Sequence, residues 1–216
     1  MSRELGDFQT PLDLVQRIAT TLRRRGISWN RLLEPTCGEG RFIGGLRDTE
    51  TVSEFYGGEI QSSYAEAATR VGASLGVGRG TIIHASLFDL DLGELEWRTP
   101  GPLLVVGNPP WVTNSELGSL RSGNLPAKTN FKLLSGLDAM TGASNFDLTE
   151  FIWIKVLEEL RRENPTVAFL CKTQVARNVI EYIRERRFGV RDAGMYRIDA
   201  KQWFGASVDA CLMVVT

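Results

Sequence analysis

The chain has 216 residues, 43% hydrophobic and 24% charged, which fits one sizeable α/β domain and excludes collagen-like, coiled-coil and wholly disordered chains. With 25 basic against 26 acidic residues the net charge is −1, so there is no broad positive surface for gripping nucleic acid. No apolar run reaches the roughly 18 residues of a membrane span, and the opening Met-Ser-Arg-Glu-Leu-Gly-Asp has no apolar core, so neither a spanning protein nor a secretion signal is expected.

The first helix is signed by Thr10 as N-cap, Pro11 at the first helical position and Asp13 in the first turn. Its apolar stripe is Leu12, Val15, Ile18, Ala19 and Leu22, and Gly26 stops it. A strand Arg31–Glu34 breaks at Pro35 into a glycine-containing turn. Further strands are predicted at Phe55–Ile60, Thr81–Ala85 and Leu103–Gly107, with a helix over Ser63–Leu75. The run Leu103–Gly107 is continuously apolar, as a strand covered on both faces should be.

The polar, turn-rich segment 112–145 is a long connection, which reads either as an element that orders over a ligand, with Arg121, Lys128 and Lys132, or as disorder. A helix is expected from Asp147 to Arg162, a strand at Val167–Cys171 and a helix at Val175–Arg187. Two last strands, Val190–Ile198 and Val208–Val215, are expected to join through a short turn. This alternation predicts a doubly wound, mostly parallel seven-stranded sheet in one domain spanning 1–216.

Three segments carry chemistry. Glu34-Pro35-Thr36-Cys37-Gly38-Glu39-Gly40-Arg41-Phe42 lies where the first strand hands over to a helix, and its small residues let backbone N–H groups approach a ligand. One strand later Glu59, after Gly57-Gly58, can accept from two ribose hydroxyls. In that order they indicate a nucleoside-containing cofactor. Asn108-Pro109-Pro110-Trp111 follows the buried fourth strand, where two prolines remove two donors and fix φ. Free carbonyls, the Asn108 acceptor and a flat ring make a site for a planar group bearing an NH₂. Cys37, Cys171 and Cys211 form no CxxC pair and the one histidine is His84, so reduced thiols in a cytosolic protein and no metal site are expected. The basic run Arg184, Arg186, Arg187, Arg191 and Arg197 is interleaved with acids and reads as a solvated face, and Trp153 as core.

These segments together resemble, over essentially the whole chain, the class I S-adenosylmethionine-dependent DNA N6-adenine methyltransferases of the type II restriction–modification kind. Phe8-Gln9-Thr10-Pro11 matches their F-x-T-P element, Glu34 to Phe42 their D-P-A-C-G-S-G-x-F loop with Glu for Asp, Thr for Ala and Glu for Ser, and Asn108 to Trp111 their N-P-P-aromatic tetrad. F-x-T-P first, then the loop, then the tetrad is their gamma order.

The resemblance implies a Rossmann-like α/β fold with one antiparallel strand near the C-terminus, and S-adenosyl-L-methionine as cofactor. Thr10 would touch the methionine moiety, Thr36, Cys37 and Gly38 would line it with Glu34 and Gly40, and Glu59 and Ile60 would meet the ribose. The pair Ser86-Leu87 stands where the family has Asp-Phe against the cofactor adenine, so either Ser86 replaces the acid or Asp89 does. Asn108, Pro109, Pro110 and Trp111 would be catalytic, Asn108 also meeting the cofactor, with Trp111 on one face of a flipped adenine and Phe204 on the other, Trp203 being the rival.

Asn-Pro-Pro-aromatic also occurs in protein glutamine N5- and RNA guanine N2-methyltransferases, and cytosine N4 enzymes more often carry Ser for Asn108. The further alternative is a non-catalytic cofactor- or DNA-binding subunit. A target-recognition region is expected outside residues 1–216 or on a partner chain.

Overall fold

The computed structural model describes residues 8–46, 52–76, 78–113 and 147–216. Nearly all of the predicted connection 112–145 lies outside them. Helix α1 spans Leu12–Arg24 and buries Leu14, Val15, Ile18, Ala19 and Leu22. Leu12, placed by the periodicity in that stripe, is 44% exposed, and Leu14 takes its place. Thr10 is not the N-cap either. The helix starts one residue later, with Pro11 in the cap position and its carbonyl accepting from Leu14 and Val15 at 3.0 and 3.1 Å. Thr10 is buried instead. The helix closes as the basic end and glycine predict. Gly26, at φ +72°, donates to Arg23, and Ile27 donates to Leu22, the paired bonds of a Schellman motif.

The remaining elements are β1 (Arg31–Glu34), α2 (Arg41–Gly45), β2 (Glu54–Glu59), α3 (Ser62–Ser74), β3 (Gly80–His84), β4 (Leu103–Gly107), α4 (Leu148–Glu159), β5 (Thr166–Lys172), α5 (Thr173–Glu185), β6 (Ala193–Ile198), α6 (Ala200–Phe204) and β7 (Ala210–Val215). The sheet order is β3-β2-β1-β4-β5-β7-β6. β1 to β5 pair in parallel, and β7 runs antiparallel to both its neighbours, as predicted. β6 and β7 are not joined by a short turn, because α6 intervenes. Asp199 accepts from the Gln202 amide at its start, and Gly205 at φ +68° ends it.

Alternating residues of the central strands feed two cores, one on each sheet face. Val105 and Phe169 pack with α4 and α5, while Leu104, Val106, Ala168 and Leu170 pack with α1 and α2. Trp153 is fully buried in the first core, edge-on to Phe169 at 5.1 Å between centroids. Cys37, Cys171 and Cys211 are buried free thiols. Among the described residues no helix is long and apolar enough to cross a membrane, and no group of three His, Cys, Asp or Glu side chains could hold a metal.

Candidate active site

The strand order reverses between β1 and β4, and crevices of parallel α/β sheets open at the carboxyl ends of strands flanking such a switch point. Glu34 ends β1, Glu59 ends β2, Ser86 follows β3 and Asn108 follows β4. These four ends open into one cavity, together with Thr10, Thr36, Cys37, Gly38, Ile60, Leu87 and Pro110.

The loop after β1 is held by its own backbone. The Cys37 amide donates to Gly58 at 2.8 Å and the Gly40 amide to Cys37 at 2.7 Å. Gly40 is needed behind the loop rather than in the cavity. It has φ +76°, and a Cβ there would lie 3.1 Å from Cα of Ala68 in α3. Gly58 lets β2 approach the loop, because a Cβ would meet the Pro35 carbonyl at 2.8 Å.

Glu59 accepts from the Gly38 amide at 2.9 Å through Oε2 and from the Gln61 amide at 2.7 Å through Oε1. Two backbone donors fix the carboxylate at the cavity wall. Glu34 is the other acid. Burial pushes its carboxyl well above the usual range, against the opposing bonds from the Ile43 and Phe42 amides and with a smaller push from Glu59. It holds the start of α2 through Oε2 and Ile43 N at 3.1 Å. The Cys37 thiol is likewise pushed up, by burial first and then by Glu34 and Glu59, so it is no thiolate nucleophile.

At the end of β4, Asn108 donates through Nδ2 to the Phe8 carbonyl at 3.0 Å. That bond turns Oδ1 the other way, and among the described residues Oδ1 is buried without a partner, as is Oγ1 of Thr36. The Pro110 carbonyl accepts from the Thr149 hydroxyl at 2.8 Å, whereas the Pro109 carbonyl has no partner among the described residues. Asp147 caps α4 through the Thr149 amide and pairs with Lys172 at 2.8 Å, which fixes the far side of this turn.

Trp111 is 6% exposed, with Nε1 donating to the Leu170 carbonyl at 3.3 Å. Its ring meets Phe204 nearly edge-on, at 5.3 Å and 77°, and Phe8 tilts against both at 5.7 and 5.6 Å. Trp203 lies outside this trio, under the Arg17 guanidinium at 5.7 Å. Trp111, Phe204 and Pro109 do not line the cavity, and neither does Asp89, whereas Ser86 does, capping the turn Leu87–Asp89 through the Phe88 amide. Sequence reasoning missed Phe8, Gln9, Arg41, Gln61 and Phe88 as lining residues. Of these, Phe8 carried a signal as the first residue of the F-x-T-P element, and Arg41 as a charge directly after the second glycine of the loop.

No family model matches the chain. It is 37% identical over 212 residues to the type II methyltransferase M.NspV of Nostoc sp., covering 98% of this chain and 44% of that protein, so the chain spans under half the length of this curated relative. Among solved structures it is similar to a candidate RNA methyltransferase from Pyrococcus horikoshii, with TM-score 0.57, 13% identity, and 100% and 87% of the two chains covered. It is equally similar to the modification subunit of a candidate type I restriction enzyme from Vibrio vulnificus, with TM-score 0.57, 14% identity, and 97% and 44% covered. By its strand order, its antiparallel β7 and these likenesses, the chain has the Rossmann-like fold of methyltransferases.

Proposed function

We propose that the chain carries the catalytic unit of an S-adenosylmethionine-dependent methyltransferase that modifies the N6 amino group of an adenine flipped out of DNA, in a restriction–modification setting. The observation that carries this reading is the Asn108 amide. Its nitrogen is anchored on Phe8 and its oxygen is buried with no partner among the described residues, next to a cavity whose other wall is Glu59. The 37% identity to a type II methyltransferase supports it.

The cavity fits the cofactor. Glu59 would take the ribose hydroxyls, Ser86 and Leu87 the adenine side, and Thr10, Thr36 and Gly38 the amino-acid side, with the orphaned Thr36 hydroxyl facing a polar ligand. When bound, S-adenosylmethionine supplies an electrophilic methyl group on a sulfonium. An exocyclic adenine nitrogen is a poor nucleophile because its lone pair is conjugated into the ring. Asn108 Oδ1 and the Pro109 carbonyl would each accept a hydrogen bond from one N6–H, drawing the nitrogen towards tetrahedral geometry and freeing that lone pair, and the surplus N6 proton would pass to water after methylation. Trp111 would orient the base and offset positive charge developing on it. The Trp111–Phe204 edge contact must open for a base to lie between the two rings, and extrusion from a duplex costs a few kcal/mol. No thiolate or histidine base is used, in keeping with the protonated Cys37.

Sequence readout would sit outside these residues, in a further region or a partner chain, since the chain spans 44% of its Nostoc relative and carries a net charge of −1. The reading is tested by supplying methyl-labelled S-adenosylmethionine with DNA, RNA and a glutamine-containing peptide in parallel. Label in DNA alone supports it, and label confined to RNA or peptide overturns it.

A further inference from the structure

Arg41 opens α2 in the wall of the cavity, directly after the loop of β1. Its Nη2 and Nε donate to Oε2 of Glu39 at 2.7 and 3.2 Å. The two side chains are 41% and 35% exposed, so their attraction is screened by water and contributes little to stability. The loop does not depend on the pair, because the Cys37, Gly38 and Gly40 amides already hold it. The Glu39–Arg41 pair therefore has no evident structural task.

The remaining charges of the cavity point to one. Arg41 is the single cation among the described lining residues. Of the acids, Glu34 is turned onto the α2 amides and Glu59 is fixed by Gly38 and Gln61 at the end of β2. A ligand with its ribose at Glu59 and an amino-acid tail running along the Thr36–Gly38 loop carries a carboxylate at the end of that tail. The planar guanidinium at the start of α2 can take such a carboxylate with two parallel bonds.

Resting on the cofactor reading above, we propose that Arg41 binds the α-carboxylate of the cofactor's amino-acid tail, and that Glu39 holds the guanidinium until that carboxylate displaces it. Arg41 is thus a specificity residue for adenosine thioethers that keep the tail, and Glu39 is its internal competitor.

The test is calorimetric binding of two ligands that cannot react. S-adenosylhomocysteine has the tail and 5′-methylthioadenosine lacks it. Arg41→Ala should weaken S-adenosylhomocysteine about tenfold or more, leave 5′-methylthioadenosine unchanged, and be partly rescued by Arg41→Lys. Glu39→Gln should act with the opposite sign, tightening S-adenosylhomocysteine and not 5′-methylthioadenosine. Equal weakening of both ligands by Arg41→Ala would show a role in loop folding and overturn the assignment. So would unchanged affinity for both, including the case where only DNA binding suffers. Wild-type chain that binds neither ligand would overturn the cofactor reading itself, and the assignment with it.

Discussion

The Phe8 carbonyl and the Asn108 side-chain amide, a hundred residues apart in sequence, are joined by a 3.0 Å hydrogen bond. An amide can be turned either way round, and a carbonyl can only accept, so this contact forces Nδ2 towards Phe8 and leaves Oδ1 as the free acceptor. The segment before α1 thereby sets the polarity of the group proposed to bind the substrate amine.

Replacing Asn108 separates that acceptor from the fold. Asn108→Ala should lower methyl transfer at least about a hundredfold while cofactor affinity changes little, read by single-turnover rates beside calorimetry. Asn108→Asp should be as inactive and also less stable, because a carboxylate has no donor for the Phe8 carbonyl. Full activity in the Asp variant would show that the Phe8 bond does not orient this group.

Thr149 tests the other end of the turn. It is fully buried, and its hydroxyl occupies the Pro110 carbonyl. Thr149→Val should cost about 1–3 kcal/mol of stability, since a buried acceptor loses its donor, and should slow transfer more than it weakens cofactor binding. Thr149→Ser should restore most of both. Denaturant unfolding and transfer rates measured on the same preparations decide it.

Glu34 makes stability depend on pH. Its folded carboxyl titrates well above its ordinary value of 4.5, so the folded chain holds a proton that the unfolded chain has lost. Stability from this group is complete below that ordinary value and is lost as pH rises through the folded value. Glu34→Gln has no such proton to lose. The stability difference between wild type and variant should therefore shift in favour of the variant as pH rises above that ordinary value, measured by urea unfolding. Parallel curves would place Glu34 in an ordinary ionised state.

Gly40 ties the loop to α3. Ala at φ +76°, with its Cβ about 3.1 Å from the Ala68 backbone, should destabilise by about 1–3 kcal/mol and weaken cofactor binding by shifting the loop. Gly76→Ala is the control. It has a similar φ of +67° but no neighbour within 4 Å, so it should carry the backbone cost alone and leave binding intact.

Much of this was legible in the residues, and what was not has physical causes. β1 and β4 lie where they were expected because Leu32-Leu33 before Pro35, and the continuous apolar run ending at Gly107, leave few alternatives to a short buried strand. Thr10 looked like a cap because its type and the following proline satisfy the local rule, yet the tertiary fold buries it in the cavity wall. Five-residue α6 has too few turns to show a period, so the connection between β6 and β7 read as a turn.

In the site, Glu34, Glu59, Ser86 and Asn108 could be placed because each ends or follows a strand. Gln9 and Gln61 could not, since a cavity wall has no repeat. The orientation of Trp111 was equally hidden. Its indole N–H reaches the Leu170 carbonyl and its ring meets Phe204 edge-on, choices that depend on residues far along the chain.

The most direct test of the central claim is mass spectrometry of nucleosides from mixed-sequence DNA incubated with the chain and S-adenosylmethionine, beside Asn108→Ala. The account predicts N6-methyladenine from the wild type and none from the variant. N4-methylcytosine in its place, N6-methyladenine undiminished in the variant, or no methylated base from a chain that binds the cofactor and DNA would contradict it.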